Sequence, residues 1–82
     1  MTADQKSRLD EAIWVHSQRV SGTPCFRGTR VPVQSLIDFL ESGETIDAFI
    51  KLYPPISHEQ VVAVLDVANS QLLECASSMT NA

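Results

Sequence analysis

Residues 22–43 read Gly-Thr-Pro-Cys-Phe-Arg-Gly-Thr-Arg-Val-Pro-Val-Gln-Ser-Leu-Ile-Asp-Phe-Leu-Glu-Ser-Gly, and two backbone regimes meet inside them. In the first half, Pro24 and Pro32 hold extended entry points, while Gly28 suits a residue at positive φ. Cys25-Phe26 and Arg30-Val31 bracket that glycine, which predicts a tight reversal between two short extended pieces. Thr29 is placed to hydrogen-bond within the turn. In the second half, Val33, Leu36, Ile37 and Leu40 fall at i, i+3, i+4 and i+7, one face of a helix, and Gly43 supplies its stop. The stretch therefore predicts a mainly α protein in which a short N-terminal β-ribbon hands over to helices.

Upstream, Val20-Ser21-Gly22-Thr23-Pro24 is a turn cluster, and the apolar run Ile13-Trp14-Val15 reads as a strand. Residues 1–11 are polar and are expected to form a flexible tail with at most a turn of helix. Downstream, Thr45 is a good N-cap with Asp47 in the first turn behind it. Ile46, Phe49, Ile50 and Tyr53 form the apolar face of that second helix until Pro54-Pro55 ends it. Ser57-His58-Glu59-Gln60 is a capping box opening a longer helix. Its apolar stripe is Val61, Val64, Leu65, Ala68, Leu72 and Cys75. The pattern predicts a single domain over 12–76, a three-helix cluster of helix-turn-helix cadence behind the ribbon, and a second flexible tail over 77–82.

The 82 residues make one domain with a small core, the kind that gains stability from a partner or from self-association. Short strands with open edges predict a homodimer joined partly through the ribbon. No run is long enough to span a membrane, no signal-peptide pattern opens the chain, and the two cysteines, Cys25 and Cys75, read as free thiols. These features together predict a cytoplasmic protein. The net charge of −4 disfavours tight binding to nucleic acid, and its distribution is uneven: Met1–Val31 carries +2, and the remainder, where Lys51 is the lone base, carries −6.

As a chain-long pattern, Gly22, Pro24, Arg27, Gly28, Thr29, Arg30, Val31, Pro32 and Val33, then Leu40 with Gly43, then Tyr53-Pro54, resembles a family of small prokaryotic domains catalogued as a domain of unknown function. The resemblance runs from Ile13 to Ala68. Cys25-Phe26 departs from it, standing where the family has two aliphatic residues. Members of the family have been likened to VapB-type antitoxins encoded beside a PIN-type nuclease. The resemblance implies a homeodomain-like trihelical fold, often dimeric, with a nuclease toxin as partner.

No catalytic or cofactor site is expected. His16 and His58 have no ligand at metal spacing, the three glycines are dispersed and form no phosphate loop, and no nucleophile has a base beside it. The candidates for contact with a partner or with nucleic acid are Trp14, Arg19, Arg27 and Arg30. Forked guanidinium donors can grip carboxylates or phosphates bidentately. Arg27 and Arg30 have two open readings: pinning the turn to carbonyls, Asp38 or Glu41, or one of them reaching into a partner's acidic site. Arg30, beside Val31-Pro32, is expected to be structural, and Arg27 to face the partner. A helix-turn-helix DNA-binding regulator is the alternative, although Ser57-His58-Glu59-Gln60 offers a recognition helix no arginine and gives it a carboxylate in its first turn.

Overall fold

The computed structural model describes residues 1–15 and 22–79. In chain order they form α1 (Ala3–Ala12), β1 (Ile13–Val15), β2 (Pro24–Phe26), α2 (Val33–Glu41), α3 (Ile46–Leu52) and α4 (His58–Met79). The protein is mainly helical with a two-stranded antiparallel sheet near its N-terminus, as the sequence predicts. Four helices are present among the described residues where three are predicted.

The additional helix is the segment expected to be a tail. Thr2 caps α1 through a complete capping box with Gln5, each side chain bonding the other's backbone N–H. The helix packs along α4. It runs antiparallel to it, with the N-terminal ammonium at 2.6 Å from Glu74, Gln5 at 3.1 Å from Asp66, and Arg8 at 3.0 Å from the same Asp66. Its sequence looks tail-like because the α4-facing residues are polar, and polarity alone conceals a helix held by long-range hydrogen bonds. At the other end, residues 77–79 continue α4 where the second flexible tail is expected, and the rest of that expected tail, 80–82, lies outside the described residues.

β1 pairs with β2 in the register Ile13↔Phe26, Trp14↔Cys25 and Val15↔Pro24. An isolated bridge from Cys25 to Pro32 brings the far arm of the Gly28 reversal alongside. The helix ends follow the predicted chemistry. α2 stops in a Schellman arrangement: Gly43 N–H donates to Leu40 (3.0 Å), Glu44 N–H donates to Phe39 (3.3 Å), and Gly43 sits at φ 95°. Thr45 accepts from the Ala48 amide at 3.1 Å to start α3, and Tyr53 closes it. Ser57 and Gln60 form the predicted box that opens α4.

Phe26, Leu36, Phe49, Ile56, Val61 and Val64 form the buried core, with Leu9, Phe39, Tyr53 and Leu65 packed against it. Phe49 is its centre, with ring centroids 5.9 Å from Phe26, 5.7 Å from Phe39 and 5.0 Å from Tyr53, all tilted. Phe26 is fully buried. Phe26 thus places an aromatic ring at the core's heart, and the thiol of Cys25 beside it is only half-buried.

Candidate functional site

The turn 27–30 is the most heavily specified piece of the molecule. Gly28 takes φ 83° at its tip, and a side chain there would meet nothing within 4 Å, so backbone conformation alone demands glycine. Thr29 ties the turn twice: its hydroxyl donates to the Phe26 carbonyl (2.8 Å) and accepts from the Val31 amide (3.1 Å). The indole of half-buried Trp14 donates to the Thr29 carbonyl at 3.0 Å, strapping β1 to the turn. Trp14 is therefore a structural anchor, with its polar tip spent inside the chain.

Arg27, expected from the sequence to face a partner, is held within the chain, while Arg30, expected to be structural, is not. The Arg27 guanidinium donates through Nε (3.0 Å) and Nη2 to the carbonyl of Asp10, and its own amide donates to the Ala12 carbonyl at 2.8 Å. α1 has no base in its last turn. Arg27 supplies the missing cation from another element, satisfying carbonyls that a helix C-terminus leaves open. Arg30 is exposed, and among the described residues its guanidinium has no hydrogen-bond or ion-pair partner. The hold on Arg27 is not legible in the sequence because its acceptor is a backbone carbonyl of α1, a helix the sequence did not reveal.

Arg19 lies outside the described residues. The remaining motif positions are structural. Gly22 has φ 68°, with the Val15 side chain 3.6 Å from where a Cβ would stand. Pro24 opens β2, Pro32 precedes α2 in extended geometry, Gly43 ends α2, and Tyr53-Pro54 turns the chain toward buried Ile56.

A residue the sequence reading assigned only a local role joins these parts. Gln60 accepts from its own capping partner, and its amide nitrogen also donates to the Ala12 carbonyl (3.0 Å) and the Arg27 carbonyl (3.2 Å). One side chain thus connects α4, the end of α1 and the arginine turn. The capping box was the only signal pointing to it. Beside this junction, an open groove of about 610 Å³ runs between α1 and the start of α4, lined by Arg8, Glu11, His58 and Glu59 among others. Its charges are mixed, and no group of three or more His, Cys, Asp or Glu able to hold a metal occurs among the described residues.

Comparison with curated proteins and with solved structures returns no significant match. A family model does match, over residues 13–68, from the first residue of β1 into α4 and across the arginine turn. That span covers more than half of the chain, and the chain belongs to the family described as Protein of unknown function (DUF433).

Proposed function

We infer that this chain is an antitoxin-like protein-binding module that neutralises a PIN-type nuclease, with Arg30 as the side chain offered to the partner. The observation that carries the reading is Arg30 itself: an exposed guanidinium without a partner among the described residues, next to a turn held by Thr29, Trp14 and Gly28. The backbone of the turn is already ordered, so binding fixes only the side chain's own rotamers, and the planar guanidinium can grip a carboxylate with two parallel bonds. PIN-type nucleases hold their metal ions with clustered carboxylates, and a guanidinium entering that cluster supplies the positive charge in place of the metal. The partner class comes from the family resemblance. The choice of residue comes from the geometry.

The test is to express this chain with any PIN-type nuclease found encoded beside it and to measure binding by calorimetry and inhibition of the nuclease. Arg30→Ala is expected to keep its melting temperature and lose binding by a hundredfold or more, about the cost of a desolvated charge pair. Arg30→Lys regains only part, because an ammonium cannot make the forked contact. Full inhibition by Arg30→Ala would sink the arginine reading.

The alternative, a homeodomain-like DNA-binding regulator, draws on the short α2–α3 and α3–α4 connections. It is weakened at the start of α4. Ser57 and Gln60 cap their own helix, and the Gln60 amide that could read adenine is already bonded to Ala12 and Arg27. In the ribbon, β1 pairs with β2, which engages one edge of each strand.

A further inference from the structure

The two ends of α1 are fastened by different means. Its last residue, Ala12, is buried, and the Ala12 carbonyl takes the Arg27 amide and the Gln60 side chain. Toward its start the helix meets α4 through polar ties: Arg8 and Gln5 on Asp66, the Ser70 hydroxyl on Gln5 at 3.3 Å, and the N-terminal ammonium on Glu74. These ties lie in water. The Arg8 and Asp66 side chains are 52% and 37% exposed, and that of Glu74 is 57% exposed. Ion pairs at such exposure contribute little and are screened by salt. Half-buried Leu9 packs against the core from outside, and the buried cluster from Phe26 to Val64 takes no residue from α1. Local opening is drawn from elements built this way, with few buried apolar contacts and solvent-exposed bonds.

What such an opening changes is Arg27. Its guanidinium is held by the Asp10 carbonyl, which belongs to α1 and moves with it. The Arg27 amide and carbonyl stay behind, on Ala12 and Gln60. The acceptor that would be lost is neutral, and a carboxylate binds a guanidinium more strongly than a carbonyl does. The hold on Arg27 is thus made by a helix that precedes the family-matched span, residues 13–68.

We propose that α1 is a releasable strap that pivots at Ala12. Docked on α4, it keeps the Arg27 guanidinium withdrawn; undocked, it adds that guanidinium to Arg30 on the same turn. The use of a second arginine rests on the nuclease reading, and the strap itself does not. The linkage is reciprocal: an acidic partner that takes Arg27 works against docking of α1, and whatever undocks α1 tightens such a partner. In the parent chain the gain from the second arginine is offset by the cost of undocking, so Arg30 alone sets the binding.

The test removes the shared tie and leaves the α1 cap intact: Asp66→Ala deprives Gln5 and Arg8 of their acceptor on α4. Hydrogen exchange read by mass spectrometry should show α1 amides exchanging about tenfold or more faster in the variant, while α2, α3 and the first turns of α4 keep their protection. Phenylglyoxal should modify Arg27 about tenfold more slowly than Arg30 in the parent, and at nearly the Arg30 rate in Asp66→Ala. Raising salt from about 0.05 to 1 M should move Arg27 of the parent the same way, with Arg30 as internal reference. Three outcomes each overturn the strap: α1 exchange that does not change, exchange that rises in α1 and the core together, or an Arg27 that stays protected while α1 opens. Binding to a PIN-type nuclease encoded beside the chain then tests the second grip. Asp66→Ala is expected to bind about tenfold tighter than the parent, and Arg27→Ala in that background to cancel the gain. A gain that survives Arg27→Ala, or no gain, overturns the second grip. No binding by the parent removes the nuclease reading and leaves the strap to stand on exchange and labelling.

Discussion

Gln60 and Arg27 show how much of this fold rests on side chains that satisfy backbone carbonyls at one point. Both converge on the C-terminal end of α1, where Ala12 accepts from the Arg27 amide and from Gln60. Gln60→Ala leaves the Ala12 carbonyl with one donor fewer and the Arg27 carbonyl without its side-chain partner. The loss is expected at about 1–3 kcal/mol. For a domain of this size that lowers the melting temperature by roughly 4–8 °C per kcal/mol. Gln60→Glu should be worse, because an acceptor then faces two carbonyls; a Glu variant as stable as the parent would refute the role. Arg27→Ala should cost about 1 kcal/mol, since its guanidinium is exposed at a helix end, and partner binding should survive. Gly28→Ala separates strain from clash: nothing crowds the site, so a cost of about 1 kcal/mol would come from positive φ alone. The glycine and threonine roles were legible in the sequence because they are local. The roles of Arg27 and Gln60 were not, since their acceptors lie 17 and 48 residues away.

Among the elements, the same division separates what was read from what was missed. α2, α3 and the start of α4 carry an apolar period, and their bounds follow from Gly43, Thr45, Pro54 and Ser57. α1 carries little apolar period. Leu9 and Ala12 alone turn inward, and the rest of its contact with α4 is made by Gln5, Arg8 and the terminal ammonium. A helix bound by polar pairs leaves no periodic trace, so its Thr2–Gln5 capping box was the one available sign. Leu9→Ala decides whether α1 belongs to the domain. A half-buried leucine packed on the core should cost about 1–3 kcal/mol when truncated, whereas the same change in a tail costs nothing measurable. Thermal melts of the single mutant distinguish the two, and an unchanged midpoint would return residues 1–11 to a tail.

For the whole molecule, charge placement limits what the chain can meet. Although Met1–Val31 is net basic by sequence, Arg8 is paired with Asp66 and Asp4, and Arg27 is pinned to Asp10. Among the described residues the exposed cations left without partners are Lys6 and Arg30 from the head, with Lys51 on α3. They belong to separate elements, so they do not form the stripe that tracks a phosphate backbone. No helix of the described residues is long and apolar enough to cross a membrane, so the exposed apolar ridge of α4 is not a span. Binding to random duplex DNA should therefore be weak and, more diagnostically, shallow in its salt dependence. Each neutralised phosphate contributes about −0.9 to the slope of log K against log salt, so two or three contacts give a slope no steeper than about −3. Fluorescence anisotropy with a labelled duplex over a salt series measures it directly. A slope near −6 would require a basic surface assembled from both copies of a dimer, and it would put the DNA-binding reading ahead of the protein-binding one.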